Sequence, residues 1–287
     1  MAHNVAGSFE AFYEQINLSG DHRDTANARK DRIISLLKND FEILDAFSTG
    51  SIPKFTALKN RADLDVLVVL HFGKHVKDKS PTEVLESIRK PLSQYRTNVR
   101  KNGQAVTLGY DSWPNVDIVP VSRTPNSDGS VSHYNVPNAN SGTWIQSRPR
   151  KLAAAIESKA TECDQNFRRI IKMIKHWNHV HSEYLSSYHI EVLALNVLSG
   201  NLDDTPWHVS QFFVAVRPLL LNSLYYELGF ADAYLSYADR AEALKRIDTA
   251  ITKSRAAWYL TYNDNTDHKS AIALWQQVFG DKFPAYG

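Results

Sequence analysis

Three aspartates around two short apolar runs constrain what this chain can fold into more than any other feature. Asp63 and Asp65 stand two residues apart and lead into the apolar run 66–70, and Asp117 lies inside a second run, 116–121. Residues two apart on a strand point to the same face of a sheet, so Asp63 and Asp65 can reach one site. Asp117 stands between Val116 and Ile118, so its side chain points to the face of the sheet opposite the side chains of these two apolar neighbours. A carboxylate on an inner strand is costly to bury unless it is paired or binds a metal, and the pattern therefore predicts a cation site.

The residue types indicate which cation and which chemistry. Carboxylate oxygens suit Mg²⁺ or Mn²⁺, which bind carboxylates together with substrate phosphates. Two such ions, roughly 3.5–4 Å apart, can activate an attacking hydroxyl and stabilise a leaving pyrophosphate. We therefore expect Asp63, Asp65 and Asp117 to be metal ligands and catalytic residues of a nucleotidyl transfer. In the alternative interpretation, Asp63 belongs to a turn and Asp65 only ends a strand.

A Gly-Ser pair upstream of the aspartates favours the metal site. The glycine, Gly50, lets the backbone approach a phosphate without a side-chain clash. Backbone N–H groups and the Ser51 hydroxyl can then bind the β- and γ-phosphates of a nucleotide. Gly50 is also compatible with the C-terminal end of a helix over residues 24–47, and both interpretations can hold together.

Composition excludes several classes of protein. The 287 residues carry 33 Lys and Arg against 31 Asp and Glu, a net charge of +2, which argues against a chain that mainly coats nucleic acid. One cysteine, Cys163, permits neither a disulfide within the chain nor a cysteine-based zinc site. No window approaches the roughly 18 apolar residues of a membrane span, and the N-terminal segment lacks the apolar core of a signal peptide. We expect a cytoplasmic protein that does not enter a membrane.

Hydrophobic periodicity predicts an α+β fold. The patterns favour helices over 8–17, 24–44 and from Ser80 onward, strands over 65–70, 105–110, 116–121 and 131–136, and helices almost throughout from about residue 150. We predict a catalytic lobe over residues 1–150, with N-terminal helices and a mixed or antiparallel sheet, and a helical lobe over residues 151–287.

The order of these motifs resembles a known superfamily. Gly50-Ser51, then Asp63-x-Asp65, then Asp117 is similar to the polymerase-beta-like nucleotidyltransferases. The more specific resemblance is to the cyclic GMP-AMP synthase and oligoadenylate synthetase branch, and within it to the bacterial CD-NTases of antiphage CBASS systems. Similar blocks follow at residues 133–137, 144–145, 175–178, 187–189 and 275–284. The resemblance implies a nucleotidyltransferase lobe followed by a helical lobe, with the active site in the cleft between them.

The resemblance also implies roles for residues of the helical lobe. Lys175, in the Lys-His-Trp-Asn block, would contact the triphosphate, and Lys172 is a second candidate. Ser187 would touch the donor phosphate and Tyr188 would stack on the donor base. The residues alone also permit a solvated helix face for the lysines, a serine N-cap and a core tyrosine.

The implied activity joins ribonucleoside triphosphates into a cyclic di- or trinucleotide messenger with two Mg²⁺ or Mn²⁺ ions and releases pyrophosphate. The substrates would be ATP together with GTP or a pyrimidine nucleotide, and the product would act on a downstream effector. The same chemistry also fits a linear oligoadenylate maker or an RNA 3′-terminal nucleotidyltransferase. A third hypothesis is an inactive scaffold, which should have lost a carboxylate or the Gly-Ser pair.

Two further expectations concern macromolecular partners. Some bacterial CD-NTases are conjugated through their C-terminal residue by an E1/E2-like enzyme, and Gly287 resembles such an acceptor, although a frayed terminus is the alternative. With one cysteine, the chain cannot carry the Cys/His zinc insertion through which animal cyclic GMP-AMP synthase binds DNA.

Overall fold

The chain contains helices and strands in the α+β arrangement that the sequence predicts. The computed structural model describes residues 4–18, 20–61, 63–263 and 265–287. In chain order its α-helices are α1 (Val5–Ile16), α2 (Gly20–Leu37), α3 (Pro81–Tyr95), α4 (Pro149–Glu162), α5 (Asn166–Val180), α6 (Ser187–Val197), α7 (Thr205–Leu219), α8 (Tyr237–Tyr259) and α9 (His268–Phe279), and a short π-helix covers Phe72–Val76. Its strands are β1 (Ile43–Thr49), β2 (Leu64–Leu70), β3 (Val99–Asn102), β4 (Ala105–Leu108), β5 (Val116–Pro125), β6 (Val131–Asn138), β7 (Thr143–Ser147), β8 (Tyr225–Tyr226) and β9 (Gly229–Phe230).

Backbone contacts divide the chain into two compact units. The sheet unit comprises Leu18–Phe55 and Asn60–Ala153. The helical unit comprises the segment that ends at Asn17, the short segment Thr56–Lys59, and Ala154–Gly287. The predicted division into domains at residue 150 stays a prediction. None of the described helices combines the length and the apolar character that crossing a membrane requires.

The main sheet of the sheet unit is mixed. Among the described residues it has seven strands in the order β1-β2-β5-β4-β3, and β6 and β7 extend it from β5. β2 and β5 are parallel neighbours, whereas the other pairs are antiparallel. The parallel register places Leu64 opposite Val116 and Asp65 opposite Asp117. The run 66–70 is buried throughout, which is typical of a central strand that is covered on both faces.

The helix predicted over residues 24–44 is wrong at its C-terminal end. Helix α2 ends at Leu37, whose carbonyl accepts the Phe41 amide at 2.9 Å, and residues 43–49 form β1 instead. β1 pairs antiparallel with β2, so hydrogen bonds to a central strand override the apparent helical spacing. Gly50 therefore follows a strand, and its interpretation as a helix C-terminal glycine is wrong.

The strands predicted at the sheet centre are confirmed with small changes of boundary. β4 stops at Leu108 rather than at residue 110, and β5 continues to Pro125. The hairpin of β8 and β9 lies in the C-terminal half, where the pattern predicts helices. Each of its strands has two residues, too few for a period-2 pattern to be visible.

Both ends of the chain contribute to the core of the helical unit. Phe9 of α1 packs edge-on against Trp275 at 4.9 Å and against Phe283 at 5.2 Å between ring centroids. The segment Thr56–Lys59 is bound to the same unit, since the Lys59 amide donates to the carbonyl of Ile16 at 2.9 Å. In the chain this segment lies between the Gly-Ser pair and Asp63, so the helical unit anchors the connection between the two motifs.

Candidate active site

A row of polar side chains crosses one face of the sheet. Asp65 and Asp117 are each the second residue of their strand, and the parallel register places them side by side. The row continues on both flanks, because Thr49 of β1 pairs with Asp65 and Thr107 of β4 pairs with Asp117. Asp63 stands just before β2 and is half-buried. The predicted strands thus bring Asp65 and Asp117 side by side. Sequence reasoning missed the two threonines, because it assigned residues 43–49 largely to a helix and could not give the register of strand 105–110 against strand 116–121.

The same face becomes apolar one step further along the strands. Leu67 and Val69 of β2 and Val119 and Val121 of β5 belong to one buried cluster, against which Phe47 packs. Because side chains alternate between faces, Leu67 and Val119 lie on the face of Asp65 and Asp117. The apolar cluster fixes the strands, and the carboxylates stand at its edge, where they lose part of their hydration.

This environment is unfavourable for negative charge. The pKa of Asp65 is raised to about 7, chiefly by burial and then by the carboxylate of Asp117; Lys54 opposes the shift and Asp63 adds to it. Burial also raises the pKa of Asp117, while Thr107 lowers it and Asp63 adds to the rise. The Oδ1 atom of Asp117 and the hydroxyl of Thr107, which pairs with it on β4, are both buried and make no hydrogen bond of normal geometry among the described residues.

The donor set fits a hard divalent cation. It offers carboxylate oxygens, one of them an orphaned buried atom, which is what Mg²⁺ or Mn²⁺ requires. Within the described residues, no three His, Cys, Asp or Glu side chains converge as a complete metal cage. The binding of an ion by Asp63, Asp65 and Asp117 together therefore stays a prediction.

Gly50 approaches the carboxylates closely. Its φ is +74°, in the left-handed region that favours glycine. A Cβ at this position would lie 1.8 Å from Oδ2 of Asp65, so a side chain would displace either the turn or the carboxylate. Ser51 follows and is half-buried. The structure therefore groups Gly50-Ser51 with the aspartates in the sheet unit.

The two candidate lysines lie on α5 in the helical unit, and both are buried. The Lys175 ammonium donates to Oε1 of Glu191 at 2.7 Å and to the hydroxyl of Thr56 at 3.1 Å. The Thr56 hydroxyl donates to the same Glu191 oxygen at 2.6 Å, and the side chains of Lys175 and Glu191 are 4% and 1% exposed. Lys172 donates to Oδ1 of Asn17 at 2.6 Å. The alternative of a solvated helix face is therefore wrong, and the contact of either lysine with a triphosphate stays a prediction.

Sequence reasoning did not connect Glu191 with Lys175. The two residues belong to different helices, and Thr56 comes from a distant part of the chain. No spacing rule joins three such positions, so only a buried carboxylate in an apolar helix could have signalled a partner.

Ser187 and Tyr188 also lie in the helical unit, at the start of α6. The N-cap is Ser186, whose hydroxyl accepts the His189 amide at 3.2 Å, so Ser187 does not have the N-cap role considered for it. The Ser187 side chain is exposed. Tyr188 is 42% exposed and faces Tyr226 edge-on at 6.4 Å, so its interpretation as a core tyrosine is wrong. Their nucleotide contacts stay predictions.

We expect Gly50→Ala to destabilise the protein more than a matched glycine substitution. Gly129→Ala is the control, because Gly129 has a φ of +82° and open space around its Cβ position. Both variants lose about 1–2 kcal/mol through positive φ, and Gly50→Ala loses about 1–3 kcal/mol more through the clash with Asp65. Urea unfolding measures both free energies, and equal losses would contradict the close approach.

Asp65 predicts a pH dependence of stability. Its pKa is about 7 in the native state against an ordinary value of 3.8, so between these values the native state holds a proton that the unfolded chain releases. The contribution of Asp65 to the free energy of unfolding therefore falls as pH rises from about 4 to about 7, and is constant above. With a chelator present, Asp65→Asn should gain stability relative to wild type at pH 8 and match it near pH 4. Asp128→Asn, an exposed control with a lowered pKa, should show no gain at pH 8. A gain for Asp65→Asn that is the same at every pH would refute this assignment.

Lys175→Met should destabilise the helical unit by about 3–5 kcal/mol, because it leaves the Glu191 carboxylate buried without its ammonium partner. The double variant Lys175→Met/Glu191→Gln should recover most of the loss, since the amide oxygen of glutamine still accepts the Thr56 hydroxyl. Chemical unfolding of the single and double variants gives the coupling free energy. Simple addition of the two single losses would show that the pair is not coupled.

Comparison with known proteins assigns the family. A family model described as the Second Messenger Oligonucleotide or Dinucleotide Synthetase (SMODS) domain matches residues 3–160. The chain is 29% identical over 223 residues to a probable cyclic nucleotide synthase of Bacillus cereus (strain VD146), a match that covers 71% of this chain and 63% of that protein. It is 27% identical over 205 residues to the CBASS oligonucleotide cyclase CdnC of Escherichia coli (strain KTE188), covering 66% and 64%. The matched part thus spans just under two thirds of these curated relatives.

The fold is also shared with a solved structure. The structure of Escherichia coli MS115-1 CdnC with ATP matches 99% of this chain and 100% of that chain, with a TM-score of 0.79 and 18% sequence identity. At that identity the likeness shows the fold alone. A family model that matches more than half of the chain, together with this shared fold, shows that the protein belongs to the SMODS family, as a bacterial CD-NTase of the polymerase-beta-like nucleotidyltransferase superfamily.

Proposed function

We propose that this protein joins ribonucleoside triphosphates into a cyclic di- or trinucleotide and releases pyrophosphate. Its family supports the proposal, because the model that it matches describes second-messenger oligonucleotide or dinucleotide synthetases. The observation that carries it is the pairing of Asp65 with Asp117 on parallel strands, with an orphaned oxygen on Asp117 among the described residues. The two negative carboxylates repel each other at the edge of the apolar cluster, and a bound cation would turn this repulsion into a favourable interaction.

The residues proposed to hold the metal are the three aspartates. Asp63 and Asp65 would hold two Mg²⁺ or Mn²⁺ ions, and Asp117 would hold one of them. When bound, the ions supply charge stabilisation for the transferring phosphate and for the leaving pyrophosphate. The raised pKa of Asp65 is consistent with this role, since its ionised form is the one that needs a compensating positive charge.

Asp117 has a second proposed role, as proton acceptor. Burial raises its pKa, and a carboxylate with a raised pKa is a better base near neutral pH. A carboxylate oxygen of Asp117 is proposed to take the proton of the acceptor 2′- or 3′-hydroxyl. The resulting oxygen attacks the α-phosphate of the donor, and catalysis comes from positioning and charge rather than from a covalent intermediate with the protein.

Six residues are proposed to contact the donor nucleotide, each on the grounds given below. The Ser51 amide and hydroxyl follow directly after Gly50, which lies against Asp65, and they can bind phosphate oxygens. The exposed hydroxyl of Ser187 stands in the first turn of α6, where backbone N–H groups favour anions. The exposed ring of Tyr188 offers a stacking face for a base. Lys175 and Lys172 are proposed phosphate contacts on the resemblance alone, because their ammonium groups are engaged within the helical unit.

ATP is the proposed first substrate, with GTP or a pyrimidine nucleotide as the second. The similar CdnC of Escherichia coli was solved with ATP, and the curated relatives are named as a cyclic nucleotide synthase and an oligonucleotide cyclase. Conjugation at Gly287 stays a prediction.

The experiment is a product assay. Wild type, Asp63→Ala/Asp65→Ala and the surface control Asp128→Ala are incubated with all four ribonucleoside triphosphates and Mg²⁺ or Mn²⁺, treated with phosphatase and analysed by mass spectrometry. We expect a phosphatase-resistant cyclic product from wild type and from the control, and none from the double variant, because only that variant lacks the carboxylates that hold the metal.

Two results would contradict the proposal. Linear products alone would favour a linear oligoadenylate or RNA 3′-terminal activity instead of a cyclase. A cyclic product from the double variant at the wild-type rate would show that the carboxylates do not carry the chemistry.

A further inference from the structure

The register that pairs Asp65 with Asp117 also pairs Asp63 with a residue that the mechanism has not used. The Leu64 amide donates to the carbonyl of Asn115 at 2.9 Å, which continues the parallel ladder by one step before the strands begin. At that step the side-chain amide of Asn115 donates from Nδ2 to Oδ1 of Asp63 at 3.2 Å. The two parallel segments thus present a carboxylate pair and, two residues earlier, a carboxylate–amide pair.

The orientation of the Asn115 amide is set by its two partners. Its Oδ1 accepts the backbone N–H of Tyr110 at 3.1 Å, and an N–H group can only donate. Its Nδ2 therefore faces Asp63, whose ionised carboxylate can only accept. If the amide were flipped, Nδ2 would face the Tyr110 N–H and Oδ1 would face the Asp63 carboxylate, and neither contact could be a hydrogen bond. The side chain therefore has a single satisfactory orientation.

The turn that carries Asn115 is held from two directions. The Tyr110 ring lies between two guanidinium groups, with Arg29 at 4.0 Å and Arg96 at 4.1 Å from the ring centroid. Arg29 also donates to the backbone carbonyl of Ser112 at 2.9 Å and to the carbonyl of Pro114. These contacts fix the turn against α2 and against the residue that follows α3. Asn115 is therefore a rigid donor rather than a mobile surface amide.

A neutral donor suits a carboxylate that must also bind a cation. A lysine or arginine at this position would neutralise Asp63 and compete with a metal for its oxygens. An amide fixes the rotamer and leaves the full negative charge in place. The hydrogen bond occupies Oδ1, so Oδ2 is the oxygen left outside it.

We propose that Asn115 is a positioning residue: its amide holds Oδ1 of Asp63 and thereby presents Oδ2 to the divalent cation of the proposed function, on which this inference rests. Ligating carboxylates are commonly oriented by such outer hydrogen bonds, and removing one typically weakens metal binding 10–100-fold. Asn115 itself touches neither the cation nor the substrate.

The test is Mn²⁺ binding, measured by electron paramagnetic resonance and water proton relaxation on the full chain, first without nucleotide and then with a non-hydrolysable ATP analogue that supplies phosphate oxygens. The variants are Asn115→Ala, and Ser112→Ala as the matched control; the latter removes the hydrogen bond from Arg29 to the Ser112 hydroxyl at 2.6 Å in the same turn but leaves Asp63 untouched. We expect Asn115→Ala to weaken Mn²⁺ binding tenfold or more and Ser112→Ala to bind like wild type. If Asn115→Ala fails to fold, Asn115→Thr replaces it, because threonine suits an extended backbone but carries no amide N–H to reach Asp63.

A second readout separates positioning from a general loss of structure. In the product assay, the Mn²⁺ concentration for half-maximal rate should rise for the Asn115 variant, while the rate at saturating Mn²⁺ stays within a few-fold of wild type. A folded Asn115 variant with wild-type Mn²⁺ affinity would overturn this inference and leave the proposed function intact. A wild-type protein that binds no more Mn²⁺ than Asp63→Ala/Asp65→Ala would overturn both.

Discussion

The parallel pairing of β2 with β5 is the constraint on which the candidate site depends. It sets Asp65 against Asp117 at the edge of an apolar cluster, where neither carboxylate is fully hydrated. Burial of the apolar run 66–70 and its neighbours stabilises the paired strands and offsets the electrostatic repulsion between the two carboxylates. The repulsion is then a functional property, because a site that disfavours two negative charges gains most from a divalent cation.

The Gly-Ser pair and the carboxylates depend on the same short stretch of chain. Gly50 must lack a side chain because Oδ2 of Asp65 occupies the space that a Cβ would fill. Between Ser51 and Asp63 the chain is anchored at Thr56, which makes hydrogen bonds to both members of the buried pair Lys175–Glu191. Such a pair is costly to break, since each member is unfavourable to bury without the other. The connection between the two motifs is thereby held at a defined point.

The sequence predicts the sheet centre and the carboxylate site better than the flanking structure, for physical reasons. An apolar run that opens with carboxylates indicates a strand and its buried face, since both follow from local alternation. Residues 43–49 cannot be assigned from their own pattern, because pairing with β2 makes them a strand. The bond from Asn115 to Asp63 depends on the register between two distant segments, and the partners of Lys175 depend on packing within the helical unit. Neither set of contacts produces a periodic pattern in the sequence from which it could have been predicted.

The position of bound Mn²⁺ decides whether the three aspartates hold the metal, and it can be read from anomalous diffraction of crystals grown with Mn²⁺ and a non-hydrolysable ATP analogue. We expect peaks within about 2.1 Å of carboxylate oxygens of Asp63, Asp65 and Asp117, and two ions roughly 3.5–4 Å apart. Peaks confined to other carboxylates, or analogue bound with no metal at these three aspartates, would contradict this expectation.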